Sequence, residues 1–261
     1  SPNKNQYASA DEWKELSKAF YEASPSVGGV KIPFIWGTDA VHGHNNLIGA
    51  TIFPHNIGLG ATRNPELMKQ IGSAVALEVL STGVVWTFAP ALSVPRNDRW
   101  GRTYEGFAED PELVGQLGSA FVKGLQGEGD EFLDENHILA TSKHFAGDGG
   151  TFDGIDQGDV RLSKEEFYSL HVSPYTPAID ACTQTIMSSF NSFQGKKLHG
   201  DKSLLTDLLK DEMGFDGFIV GDWNGHGQVK GCSNESGPEA FNAGVDIYME
   251  PDSWKDLHRN L

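Results

Sequence analysis

Gly217-Phe218-Ile219-Val220-Gly221-Asp222-Trp223 sets a short apolar run between two glycines and ends it on a carboxylate beside a large aromatic ring. A run this short, β-branched at Ile219 and Val220, reads as a buried strand. The same grammar recurs on either side of it. Ile32–Trp36 runs into Gly37-Thr38-Asp39, Ile138–Ser142 into Lys143-His144, Thr185–Ser189 into Asn191, and Val245–Met249 toward Glu250; Val84–Phe88 is a further candidate strand. Amphipathic helical patterns separate these runs. Asn64-Pro65-Glu66-Leu67 and Asp110-Pro111-Glu112-Leu113 each supply an N-cap, a proline at the first helical position and an early acid. The two segments echo each other, with Leu67, Ile71 and Val75 on one face and Leu113, Leu117 and Phe121 on the other's equivalent face. Later helices are predicted through Lys164–Leu170, Leu204–Glu212 and Pro238–Ala243.

Strand–helix alternation implies a parallel sheet, and polar residues at the carboxyl ends of successive strands are how a (β/α)₈ barrel builds its active site. The prediction is therefore an α/β chain folded as a TIM-like (β/α)₈ barrel, with residues 1–261 forming one catalytic domain. Six strands are read where a closed barrel needs about eight. The barrel is accordingly expected to be incomplete at both termini, with the helix opening at Ser253–Leu261 running on beyond the sequence shown. No GxGxxG follows any strand, which disfavours a doubly wound dinucleotide-binding sheet.

Composition narrows the chemistry. A formal charge of −16, with no cluster of Lys or Arg, repels phosphate backbones and argues against nucleic acid as a partner. The apolar runs, such as Gly83–Phe88, are far shorter than the roughly 18 residues of a membrane span. Cys182 and Cys232 belong to no CxxC pair, so they read as two small core thiols rather than as a zinc site.

At the strand ends, Asp222 is placed for covalent or proton-transfer chemistry, or alternatively for capping the next helix. Trp223 offers an apolar face to a sugar ring. Lys143 and His144 are adjacent donors at a strand end, and Asp39 is a carboxylate able to accept from two vicinal hydroxyls or to close a local turn. Arg102 sits in the dense run Asp98-Arg99-Trp100-Gly101-Arg102-Thr103-Tyr104-Glu105-Gly106-Phe107-Ala108-Glu109-Asp110-Pro111, in which Arg99, Glu105, Glu109 and Asp110 are expected to pair largely among themselves, with Asp110 better explained as a helix cap. Met187 and Phe190 are candidates for an apolar pocket wall, with core packing the plainer reading.

Taken together and in order, Gly37-Thr38-Asp39-Ala40-Val41-His42-Gly43, Arg99-Trp100-Gly101-Arg102-Thr103-Tyr104-Glu105, Lys143-His144-Phe145, Gly217 to Trp223 and Phe241-Asn242-Ala243-Gly244-Val245-Asp246 resemble glycoside hydrolase family 3, the β-glucosidases and exo-β-glucanases. The resemblance implies a retaining mechanism with Asp222 as nucleophile. It further implies that Asp39, Arg102, Lys143 and His144 hold the hydroxyls of the terminal sugar, with Met187 nearby and Trp223 shaping the subsite. Retention needs a second carboxyl group about 5–5.5 Å from the first. In the larger family members this acid/base glutamate comes from a second domain, so it is expected outside this chain. One branch of the family uses a histidine in the loop after Lys-His-Phe instead. Here Asp148 occupies that place, which disfavours the N-acetylhexosaminidase branch. The implied partners are a β-glucoside or β-glucan oligosaccharide and the remainder of the same polypeptide, with a homo-oligomer left open. No cofactor or metal is called for, and the resemblance points to a periplasmic or extracellular setting.

Three other readings stay open from the residues. His42-Gly43-His44 has the spacing of a divalent-metal site, with Lys143 as a bridging ligand. Lys143 is also able to form a Schiff base, as in a class I aldolase. A barrel that binds sugar without cleaving it is the third.

Overall fold

The computed structural model describes residues 2–27 and 29–261. Five short parallel strands form its centre: β1 Gly37–Thr38, β2 Trp86–Thr87, β3 Thr141–Phe145, β4 Thr185–Ser188 and β5 Phe218–Val220. Strand β1 pairs with β2, β3 with β4 and β4 with β5, while single bridges Trp86–Leu139 and Ala91–Lys143 join β2 to β3. A last bridge, Val220–Ile247, adds the 245–249 segment beside β5. Spatial order therefore equals chain order. Among the described residues no hydrogen bond carries the 245–249 segment back to β1, so no closed barrel is seen.

Alternation along these strands makes two cores, because both faces of a parallel sheet are buried. Trp86, Met187 and Val220 point inward with Phe88, Leu139 and Phe218, and the Trp86 and Phe218 rings meet edge to face at 5.6 Å across the interior. The Trp86 indole N–H donates to Thr141 Oγ1 at 2.8 Å and to Thr185 Oγ1 at 3.2 Å, so the one polar atom of that ring is satisfied inside the fold. Ala140, Ile186 and Ile219 point outward into the larger core, where the helices cover them.

The helices follow from their caps and stripes. Helix α1 spans Ala10–Glu22, α2 Pro65–Leu80 and α3 Pro111–Gln126. Asn64 accepts from the Leu67 amide and Asp110 from the Glu112 amide, each ahead of a proline at the first helical position. Ile71, Val75, Leu117 and Phe121 are buried as the repeated pattern requires. The helices α2 and α3 cross backbone to backbone at Gly72 and Gly124. A Cβ added at Gly124 would overlap the Lys69 carbonyl oxygen.

Several expected elements are displaced. Ile32–Trp36 is not a strand: Pro33 has no amide to donate, Ile32, Phe34 and Ile35 are exposed, and bonding toward the central sheet starts where the Trp36 carbonyl accepts from the Val85 amide. Strand β3 begins three residues later than its apolar run, which brings Lys143 and His144 into the strand itself. The segment Val245–Met249 contributes one bridge instead of a strand. Residues Tyr168–Val172 and Ser203–Glu212 are wound as π-helix rather than α-helix. Cys182 and Cys232 are free thiols, and neither is buried, against the expectation of core positions. No helix among the described residues is long and apolar enough to cross a membrane.

Candidate active site

The carboxyl ends of the strands converge on one region. Strand β1 delivers Asp39, and Lys143 of β3 donates from Nζ to its Oδ1 at 2.9 Å. Lys143 has a side chain only 5% exposed and Asp39 one 64% exposed, so a dry ammonium faces a carboxylate that water and ligand reach. The β3–β4 register slips between Lys143, opposite Met187, and Phe145, opposite Ser188. That bulge releases His144 from strict alternation, and two sequence neighbours both reach the site. The Lys143–His144 peptide bond is cis.

Arg102 comes from the loop between β2 and α3. Its Nε and Nη2 donate to the two carboxylate oxygens of Glu105 at 2.7 and 2.9 Å, and Nη2 also lies 3.1 Å from His144 Nε2. A fork-to-fork pair of this kind fixes the guanidinium plane. Burial alone would raise the Glu105 pKa, but Arg102 holds it below the usual carboxylate range. Burial likewise disfavours the Arg102 charge, and Glu105, Asp148 and Asp222 more than offset that. The charged loop pairs within itself at Arg102–Glu105, and Asp110 caps α3 as read from the sequence, but Arg99 takes no part in an ion pair among the described residues. Arg96 donates to the Glu109 carbonyl.

Asp222 leaves β5 two residues past its last paired position, Val220. Its Oδ1 accepts from the Trp223 amide at 2.7 Å and its Oδ2 lies 3.8 Å from His144 Nε2. The residue caps no helix: the turn Gly225–Gln228 follows Asn224, which is in the left-handed conformation at φ 55° and makes no side-chain cap. Behind it, the Asp222 amide donates to Nε2 of buried His199 at 2.9 Å. Burial pushes the His199 pKa down to about 4 against the pull of the Asp222 charge, which keeps the ring neutral and its nitrogen an acceptor. Trp223 stands 57% exposed beside this carboxylate. Met187 is 2% exposed and packs with Trp86 and Val220, which places it in the interior core. Phe190 lies 5.9 Å from the His199 ring.

Asp39, Arg102 and Lys143 share a cleft of about 190 Å³ with His42, His55 and Tyr104. Asp222 and His144 are connected to that cleft through Arg102. The His42-Gly43-His44 pair diverges: His42 lines the cleft, while His44 turns inward, 3.0 Å from Thr82 Oγ1. Lys143, the supposed bridging ligand, is committed to Asp39.

Sequence reading missed Glu105 as the Arg102 partner, and it missed Ser93 and His199. It treated Asp148 only as a branch marker. Asp148 is buried, with Oδ2 2.8 Å from His144 Nδ1 and 2.6 Å from Ser93 Oγ. A carboxylate between Gly147 and Gly149 was the available signal for Asp148; the lone His199 carried none.

The glycosyl hydrolase family 3 N-terminal domain model matches residues 4–260. A beta-xylosidase of Formosa agariphila is 36% identical over 213 residues, which cover 79% of this chain and 30% of that protein. A periplasmic beta-glucosidase of Salmonella typhimurium is 34% identical over 228 residues, covering 84% of this chain and 28% of its own. The solved exo-1,3/1,4-beta-glucanase of a Pseudoalteromonas species superposes with a TM-score of 0.97 at 48% identity, over 100% of this chain and 33% of that structure. The chain thus spans less than a third of the length of these two curated relatives.

Proposed function

This chain belongs to glycoside hydrolase family 3, and from that membership and the geometry of its strand ends we propose that it forms the nucleophile-bearing part of a retaining, exo-acting β-glycoside hydrolase. The observation that carries the reading is the Asp222 carboxylate, on the end of β5, standing beside a connected set of sugar-binding groups in His144, Arg102, Lys143 and Asp39. The five parallel strands and the bridged sixth segment belong, in this reading, to a (β/α)₈ barrel whose active site lies at its carboxyl face.

Asp222 attacks the anomeric carbon of the terminal sugar. The C–O bond to the leaving group breaks as that oxygen takes a proton from a carboxylic acid, and a glycosyl ester of Asp222 forms. The same acid, now a carboxylate, removes a proton from water, which displaces Asp222 and returns the sugar with its original configuration. The acid/base group comes from another part of the polypeptide, a second domain beyond the third of the relatives' length spanned here. Asp39 accepts from hydroxyls at the rim, Lys143 donates to them, and Trp223 offers the face against which the ring stacks. Met187 supports the floor of the subsite from below. Holding the ring by these groups contributes to catalysis through orientation, which is worth most when the reacting atoms sit about 3–3.5 Å apart.

The substrates are β-linked glucosides or short β-glucans, supported by the names of the relatives at 34% and 48% identity. A periplasmic or extracellular setting belongs to the same proposal.

The test uses the intact protein and a 2-deoxy-2-fluoro glucoside with a dinitrophenyl leaving group, which departs with little acid assistance. Peptide mass spectrometry is expected to find one glycosyl adduct on Asp222, absent in Asp222→Asn. An adduct on another carboxylate, or none on folded protein, overturns the assignment.

A further inference from the structure

The groups around His144 settle which of its nitrogens carries the proton. Arg102 Nη2 is a donor with no lone pair to offer, so His144 Nε2, 3.1 Å away, must accept from it. The ring proton then sits on Nδ1, which donates to Asp148 Oδ2 at 2.8 Å. Asp148 is itself held by the Ser93 hydroxyl at 2.6 Å and by the Gly149 amide, on Oδ1, at 2.9 Å. It is buried, does not line the cleft, and among the described residues has His144 as its one basic side chain within 4 Å.

We propose that Asp148 is a positioning residue which, braced by Ser93, fixes His144 as the Nδ1–H tautomer, so that an unprotonated Nε2 accepts from Arg102 and presents no N–H to Asp222. This role deepens the reading of Asp222 as nucleophile and rests on it. The consequence lies in the 3.8 Å space between His144 Nε2 and Asp222 Oδ2. With its Nε2 lone pair engaged by Arg102 and no proton on that nitrogen, His144 has nothing to donate to the carboxylate, so Oδ2 keeps its electron pair for the anomeric carbon. The opposite tautomer would aim an N–H at both Arg102 and Asp222, repelling the first and blunting the second. Burial disfavours the Asp148 charge, but hydrogen bonds from His144 and Ser93 hold its pKa below the usual carboxylate range, as an orienting carboxylate requires.

The experiment is selective ¹⁵N-histidine labelling of the intact protein at neutral pH, with long-range ¹H–¹⁵N spectra and the His144 signals assigned by their loss in His144→Gln. The expected result is a protonated Nδ1 and a bare Nε2 at His144. In Asp148→Asn the two tautomers mix, and adduct formation with the fluoroglucoside slows by about 10²-fold, the size of effect that a small misplacement at a reacting centre produces. Ser93→Ala, which keeps the carboxylate but loosens it, slows labelling less and in the same direction. An Nε2–H or doubly protonated His144 in the unmodified protein overturns the proposal whatever the variants do. Labelling of Asp148→Asn within about threefold of the unmodified rate overturns it as well. A wild-type protein that forms no adduct at Asp222 sinks the nucleophile assignment instead, and the tautomer spectrum remains readable in that case.

Discussion

Replacing His199 with leucine isolates how firmly the proposed nucleophile is held from behind. His199 is buried and its Nε2 accepts the Asp222 amide at 2.9 Å, while a Cβ added at Gly225 would collide with the same nitrogen. Leucine keeps much of the apolar bulk but removes the acceptor. The freed amide sits next to a carboxylate side chain only 14% exposed, where water is a poor substitute. A buried donor left without a partner costs about 1–3 kcal/mol. Because that donor is the backbone of Asp222, the cost is relieved by moving the nucleophile, so kcat/KM on an aryl β-glucoside is expected to fall by about 10- to 10²-fold. Glutamine at the same position retains an oxygen that can accept the amide and is expected to recover most of the loss. Thermal unfolding run in parallel separates loss of fold from loss of alignment. Activity within about threefold of the unmodified enzyme, with an unchanged melting temperature, would refute the view that His199 anchors Asp222.

Arg102→Lys exchanges a fork for a point charge, removing the bidentate pair to Glu105 and the contact with His144. Steady-state kinetics should show a loss of about 10-fold or more in kcat/KM, and a near-neutral result would count against the Arg102–His144 link. Gly124→Ala forces a methyl against the Lys69 carbonyl, for an expected destabilisation of about 1–3 kcal/mol by urea unfolding. Gly101→Ala meets nothing within 4 Å and should stay within about 0.5 kcal/mol. Burial pushes both His171 and His199 down to about 4, so as pH falls from about 6.5 the unfolded chain takes up protons that the folded chain refuses. Their stabilisation is complete above about pH 6.5 and drains toward pH 4, on the order of 2 kcal/mol for each at pH 5. A urea midpoint unchanged between pH 7.5 and pH 5 would contradict this. The depressed pKa values of Glu105 and Asp148 act in the same direction at still lower pH.

What the sequence disclosed were the features that depend on neighbours along the chain. The caps at Asn64 and Asp110, the stripes of α2 and α3, and the glycine-bounded β5 all have local causes, and each appears where its pattern lies. The displaced strands fail for a shared reason. Apolar runs mark burial, and whether a buried run pairs depends on a partner elsewhere. Ile32–Trp36 leans its Phe34 and Trp36 rings on Phe20 and Trp13 of α1 without forming a strand, whereas Thr141–Phe145 finds β4 and carries Lys143 and His144 inside the sheet. The site shows the same division. Residues at strand ends were legible because strand ends are. Asp148 and His199 act through hydrogen bonds to other side chains and backbone, and no period or spacing in the chain encodes such contacts.

The agreement between chain order and strand order has a temporal side. Each strand pairs with the one just made, so each contact closes over one strand–helix unit instead of over the whole chain. During synthesis Asp39 emerges before Arg102, Arg102 before Lys143 and His144, and all of them before Asp222. The groups proposed to hold the sugar are therefore assembled ahead of the proposed nucleophile. A nascent chain halted after β4 would hold every side chain of the Asp39–Lys143 and Arg102–His144 contacts while lacking the group proposed to cut.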